Sequence, residues 1–112
     1  MTTTPEAIFH CEVETSEDES AGPLTTVVCH GRVVSETAGQ IKALVKPLIP
    51  KGGRIVLDLT DVSYLDSSGL GTLVGLKVSA VKEGYCRLEL VHLSPRVKEL
   101  LRLSNLTQLF AS

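Results

Sequence analysis

The sequence predicts an α/β fold: a single domain with a mixed β-sheet of about four to five strands and three to four helices. Three observations carry this expectation. Apolar segments of strand length alternate with segments whose apolar residues recur at helical spacing. Clusters of glycine, proline and serine punctuate the junctions between them. One segment, Arg54-Ile55-Val56-Leu57-Asp58-Leu59, is nearly continuously apolar, as expected of a central strand in a parallel arrangement covered on both faces.

Taken in order, residues 8–13 form a short β-prone stretch and residues 24–30 a second one, ending in Val27-Val28-Cys29. Residues 14–23 between them are polar and turn-rich, and read as a long acidic loop whose charges face water. Over residues 36–48, Ala38, Ile41, Val45 and Leu48 recur every three or four positions and predict a helix. Ser35 or Thr37 starts it, and Thr37 with Gln40 would form a capping box. Pro47, Pro50 and Gly52-Gly53 end it before the central strand. A polar break at Thr60-Asp61 follows that strand. Leu70, Leu73, Val74, Val78 and Val81 then make a second helical stripe, with Gly84 placed to end the helix. Residues 87–91 suit another strand. Ser94-Pro95 reads as an N-cap with proline at the first helical position, ahead of a third stripe of Val97, Leu100 and Leu101. Residues 106–110 are a possible terminal element.

Composition bounds the function. With 112 residues the chain fits one domain, its core spanning about residues 8–110. Hydrophobic residues at 43% and charged residues at 21% are globular values. A net charge of −2 gives no electrostatic reason to expect nucleic acid or an anionic membrane as a partner. No apolar run approaches the ~20 residues of a membrane span, so no direct membrane insertion is expected. Residues 1–7 lack a basic segment followed by an apolar one, which argues against a secretory signal and for a cytoplasmic location. Cys11, Cys29 and Cys86 are odd in number and lack C-x-x-C spacing, so reduced, buried thiols are expected rather than a disulfide framework or a zinc knuckle.

The chemistry concentrates in Tyr64-Leu65-Asp66-Ser67-Ser68-Gly69-Leu70-Gly71, which joins a strand-like segment to a helix-like one. A helix starting here carries two early glycines, each less favourable than alanine by roughly 0.8–1.0 kcal/mol in a helix interior. A serine at a helix N-terminus accepts negative charge cheaply, because unpaired N–H groups and the positive end of the helix dipole point at it. On the residues alone two readings stay open. Ser67 or Ser68 is an N-cap and the glycines permit close helix–sheet packing, or a serine is a phosphate acceptor whose glycine neighbours let a partner's active site approach. A catalytic serine is disfavoured, since the G-x-S-x-G pattern is absent and no acid obviously supports His10, His30 or His92. His10-Cys11 and Cys29-His30 on neighbouring strands present one ligand each to a given face, two where a structural zinc site wants four. Neither phosphate-cradling glycine motif occurs. No catalytic residue, metal or cofactor is therefore expected.

This motif, the preceding Ile55-Val56-Leu57-Asp58-Leu59, and Leu93-Ser94-Pro95-Arg96-Val97-Lys98-Glu99-Leu100-Leu101 together resemble the STAS family, specifically bacterial anti-sigma factor antagonists. The resemblance, which extends over about residues 8–110, implies a switch. The unmodified protein would bind an anti-sigma factor with serine kinase activity and so release a sigma factor. Phosphorylation would weaken that complex, and a serine phosphatase would reset it. Carried over by position, the acceptor is Ser67, with Ser68 as second choice, and Asp66, Ser67, Ser68, Gly69, Leu70 and Gly71 form the partner-binding segment. The chain would be a kinase substrate rather than an enzyme. Where such proteins commonly read Gly-x-x-Asp before Thr-Ala, this sequence reads Gly31-Arg32-Val33-Val34-Ser35-Glu36-Thr37-Ala38, with Val34 in place of the acid. That departure keeps a second implication open, a STAS-type accessory or regulatory subunit of a transporter that acts as a docking module.

Overall fold

The computed structural model describes residues 9–18, 22–84 and 86–111. Strands β1 (Phe9–Asp18), β2 (Gly22–Val33), β3 (Gly53–Leu65) and β4 (Cys86–Val91) form one mixed sheet in the order β1-β2-β3-β4. β1 pairs antiparallel with β2, whereas β2, β3 and β4 are parallel neighbours. The parallel pairs require crossovers. Helix α1 (Ala38–Val45) with a 3-10 turn at Lys46–Lys51 joins β2 to β3, and α2 (Ser67–Glu83) joins β3 to β4. Helices α3 (Pro95–Leu103) and α4 (Thr107–Ala111) complete the chain, in the element order read from the sequence.

The core lies between one face of the sheet and the helices. Val27, Cys29, Ile55, Leu57, Leu59 and Leu88 point into it from the strands. Ile41, Val45, Leu73, Leu76, Ala80, Val97 and Leu101 meet them from the helices. The opposite face carries polar contacts, including a two-pronged pairing of Arg54 with Glu89 at 3.1 and 2.8 Å. The expectation that β3 is covered on both faces is therefore corrected. Its burial alternates, and Val56 stands half-buried on the outer face. The polar break at Thr60-Asp61 is also corrected, because β3 runs through it unbroken. Val28 pairs with Asp58 but His30 with Asp61, and Gly31 pairs with Val62 but Arg32 with Tyr64. Each shift inserts one extra β3 residue as a bulge. Burial accordingly changes from steps of two (Ile55, Leu57, Leu59) to steps of three (Leu59, Val62, Leu65), with the extra polar residues turned outward.

The acidic loop assigned to residues 14–23 is corrected as well. Glu14 to Asp18 belong to β1, and Gly22 and Pro23 to β2; residues 19–21 lie outside the described residues, as do residues 1–8. Positions 12–17 of β1 are exposed throughout, so a two-residue alternation of apolar side chains had no reason to appear. As an edge strand β1 offers unpaired backbone groups, and Glu12, Glu14 and Glu17 guard it by charge against pairing with another chain.

Helix ends follow local chemistry. Ser94 caps α3, its hydroxyl accepting from Val97 N–H at 3.2 Å with Pro95 in the first turn, as expected. Gly84 ends α2 in the left-handed region at φ 81°, where a side chain would be strained. Thr37 sits at the start of α1 but forms no side-chain cap. Its hydroxyl donates to Arg32 carbonyl at 2.6 Å and accepts from Val34 N–H at 2.9 Å, so it staples the preceding turn and the capping box does not form.

Of the α2 stripe read from the sequence, only Leu73 is fully buried; the helix buries Gly69, Leu73, Leu76, Lys77 and Ala80. Lys77 reaches the Leu88 carbonyl at 2.8 Å from a buried position, its aliphatic stem packing like an apolar residue. Val78 and Val81 are left 48% and 62% exposed, which matters for the site below.

Among the cysteines, Cys29 is buried, whereas Cys11 and Cys86 are only partly so, which corrects the expectation of three buried thiols. No helix among the described residues is long and apolar enough to cross a membrane.

Candidate functional site

β3 delivers the chain to the junction at Leu65, which is buried and anchors the turn. Asp66 follows in extended conformation at φ −98° and ψ −176°, and it, rather than a serine, is the N-cap of α2. Its Oδ1 accepts from Gly69 N–H at 2.8 Å and its carbonyl from Leu70 N–H at 2.9 Å. Its own N–H donates to Val33 carbonyl at 3.2 Å, and its Oδ2 accepts from Ser35 N–H at 3.3 Å. One aspartate thus starts the helix and ties the β3–α2 junction to the β2–α1 turn. Asp66→Ala is expected to lower unfolding free energy by about 1–2 kcal/mol, the upper part of the range for lost caps, because a second N–H also loses its acceptor. Urea unfolding of the variant beside wild type measures this.

With Asp66 as the cap, Ser67 and Ser68 become the first two helical residues, and both are exposed. Helical geometry sends them apart. Ser67 borders a groove of about 400 Å³ with Tyr64, Leu70, Leu100 and Ser104. Ser68 borders another, about 430 Å³, with Lys42 and Lys46 of the α1 region and with Gly71, Thr72 and Gly75. The six residues read as one segment therefore serve different surfaces. Gly69 faces inward and is buried, so the idea that it opens the backbone to a partner is corrected. A Cβ there would stand 2.2 Å from Val33 carbonyl oxygen, and its absence lets the helix start touch β2. Gly71 does face open space, with nothing within 4 Å of an added Cβ.

Ser67 shares one face of α2 with Leu70, Val74, Val78 and Val81, which recur at spacings of three and four. Leu70 and Val74 are half-buried and Val78 and Val81 exposed, so an apolar strip runs from the serine along the outside of the helix. The guanidinium carbons of Arg32 and Arg96 lie 5.7 and 5.8 Å from the centre of the Tyr64 ring, within cation–π range, and place two cations beside the Ser67 groove. No local signal in the sequence marks the convergence of these arginines on Tyr64, which depends on the Arg32–Tyr64 register created by the β3 bulges.

Val34 occupies the position where an acid was expected. Its carbonyl accepts from Thr37 and Ala38 N–H groups at 2.9 and 2.7 Å, and its side chain is half-buried. The carboxylate in this turn is Glu36, exposed and accepting from Ser35 hydroxyl at 3.3 Å.

Two of the three histidines, His30 and His92, do have carboxylate partners, contrary to expectation. His30 Nδ1 lies 2.7 Å from Asp61 and its Nε2 2.9 Å from Glu12, while His92 Nδ1 lies 3.0 Å from Asp58. Hydrogen bonds donated by its ring to Asp61 and then to Glu12 raise the His30 pKa above its ordinary value. Both its ring nitrogens are engaged, which leaves none to activate a serine. Burial pushes the Asp58 carboxyl up, but hydrogen bonds from Thr60 and His92 outweigh it and the net shift is downward. His10 and His30 stack on one face of the β1–β2 pair, so each His-Cys pair divides its side chains between opposite faces, as strand geometry requires. Among the described residues no group of three or more His, Cys, Asp and Glu side chains is disposed to hold a metal.

Residues 12–111 match the STAS domain. A STAS-domain containing protein of Pseudomonas aeruginosa is 44% identical over 57 residues, covering 51% of this chain and 55% of that protein. This chain thus matches about half of that relative's length. The anti-sigma-B factor antagonist of Listeria monocytogenes is 32% identical over 80 residues, covering 70% of this chain and 69% of that one. The crystal structure of an anti-sigma factor antagonist from Mycobacterium paratuberculosis shares the fold with a TM-score of 0.71 at 21% identity, covering 97% of this chain and 87% of that chain.

Proposed function

The chain belongs to the STAS-domain family, and from that premise we propose that it is an anti-sigma factor antagonist switched by phosphorylation of Ser67. The unmodified protein binds an anti-sigma factor with serine kinase activity, which frees the sigma factor. Transfer of the γ-phosphoryl group of ATP to Ser67 Oγ releases the complex, and a serine phosphatase hydrolyses the phosphoserine to reset it.

The observation that carries this reading is the placement of Ser67 at the head of the exposed strip of Leu70, Val74, Val78 and Val81. An exposed apolar strip suits a partner surface, and a phosphate would add about −1.5 to −2 charges at its end. At the N-terminus of α2 that charge is tolerated by the fold, since the helix dipole favours anions there by roughly 0.3–1 kcal/mol. Asp66, with one carboxylate oxygen engaged in the cap and the other accepting from Ser35 N–H, adds a like charge beside it. The fold therefore survives modification while the surface changes. Ser68 is second choice because it opens onto the separate groove with Lys42 and Lys46.

The test is direct. Incubated with its cognate kinase and ATP, the protein is expected to gain one phosphate, located at Ser67 by peptide mass spectrometry. Phosphate confined to another residue, or none after a verified kinase has acted, overturns the assignment.

A further inference from the structure

Cys11 and Cys29 occupy directly opposite positions on antiparallel β1 and β2. Directly opposed residues of an antiparallel pair have Cα atoms about 4.5–5.5 Å apart, inside the roughly 4.4–6.8 Å that a disulfide spans. Both side chains point to the helix-covered face, with Cys29 in the core and Cys11 packed at its margin, and the two thiols are within hydrogen-bonding reach of each other. Their accessibility differs: Cys29 is fully buried, while Cys11 retains partial exposure. Cys86 is excluded from the pair. It lies on β4 at the far edge of the sheet, two strands and about 10 Å beyond β2 at the usual strand spacing.

From this juxtaposition we infer that Cys11 and Cys29 form a peroxide-responsive dithiol, in which Cys11 is the attacked thiol and Cys29 the resolving one. The first step is attack of the Cys11 thiolate on one oxygen of hydrogen peroxide or an organic hydroperoxide. The O–O bond breaks, Cys11 becomes a sulfenic acid, and water or an alcohol leaves after taking up a proton. In the second step the Cys29 sulfur attacks the Cys11 sulfur, its proton goes to the departing hydroxyl, and a second water leaves. Two thiols are oxidised by two electrons, and the peroxide is reduced by the same two.

The surroundings favour this division of labour. The hydrogen bond from Cys29 holds the Cys11 pKa below its ordinary value against the effect of burial, and the His30 imidazole contributes in the same direction. The same hydrogen bond and deep burial raise that of Cys29. Reactivity follows thiolate character and access, and Cys11 has more of both. Formation of the bond would fasten edge strand β1, which pairs with β2 alone, to the rest of the sheet.

The inference is independent of Ser67 and of any partner. The full-length protein, reduced and then exposed to hydrogen peroxide, is expected to fall from three titratable thiols to one under denaturing conditions. Mass spectrometry without reductant should find the Cys11 and Cys29 peptides joined, and dithiothreitol should restore all three thiols. Cys86→Ser should keep the cross-link, whereas Cys11→Ser should lose it and leave Cys29 reduced in the folded protein. An unchanged thiol count, a cross-link only between chains, or sulfinic acid on Cys11 with Cys29 still reduced overturns the inference.

Discussion

Ser67→Asp is expected to weaken binding to the anti-sigma factor by about 100-fold, or about 2.8 kcal/mol at 1.4 kcal/mol per decade, while Ser67→Ala binds within a few-fold of wild type. Ser67 heads the outer strip of α2, so a partner covering Leu70, Val74, Val78 and Val81 must also desolvate whatever stands at position 67. A hydroxyl there either finds a hydrogen bond or is left at modest cost. A carboxylate must be stripped of water beside Asp66, and like charges brought together at an interface cost several kcal/mol. Phosphoserine, with a larger charge, should be at least as disruptive. Ser68→Asp supplies the control, because its side chain faces Lys42 and Lys46 across the other groove and should change affinity by less than about 10-fold. Titration calorimetry with the purified partner, after circular dichroism has verified the fold of each variant, measures all four proteins. Equal affinity for Ser67→Ala and Ser67→Asp would refute the charge switch.

How much of this was legible in the sequence depends on which force acts at each position. Element order was readable because punctuation is local: Ser94-Pro95 starts α3 and Gly84 stops α2 through contacts within a few residues. The extent of β1 was not, since a strand exposed at residues 12–17 needs no apolar alternation and is held through its backbone ladder to β2. The buried face of α2 was misread for a related reason. Hydropathy ranks Val78 and Val81 above Gly69 and Lys77, but the helix is oriented by the contact of Gly69 with Val33 and by the reach of Lys77 to Leu88 carbonyl. At the site, the helix start was legible from Asp66-Ser67-Ser68. The separation of the two serines into different grooves, and the gathering of Arg32 and Arg96 about Tyr64, required the register of β3 and its bulges. On the proposed function, these exposed valines form the strip that a partner would cover.

The glycines of α2 should respond to substitution with opposite signs. Gly69→Ala is expected to destabilise the protein by about 3 kcal/mol, at the upper end of overpacking costs, whereas Gly71→Ala should stabilise it by about 0.5–1 kcal/mol. All three helical glycines gain the same propensity on becoming alanine, so their differences report on what the added methyl meets. At Gly69 it meets Val33 carbonyl oxygen at 2.2 Å and Leu65 Cδ1 at 2.9 Å, and a backbone oxygen held in the β2–α2 junction cannot swing aside. The first turn of α2 must then move outward by about 1 Å to restore ordinary contact, straining the 2.8 Å bond from Gly69 N–H to Asp66 and the 3.2 Å bond from Asp66 N–H to Val33. At Gly71 and Gly75 the methyl meets nothing within 4 Å, and only the helix gain remains. Urea unfolding of the three single variants measures these effects. Partner affinity read on the same samples separates their uses: Gly69→Ala should displace Ser67 with the helix start, while Gly71→Ala narrows only the Ser68 groove. A Gly69→Ala protein as stable as wild type would show that the close approach of α2 to β2 does not position the site.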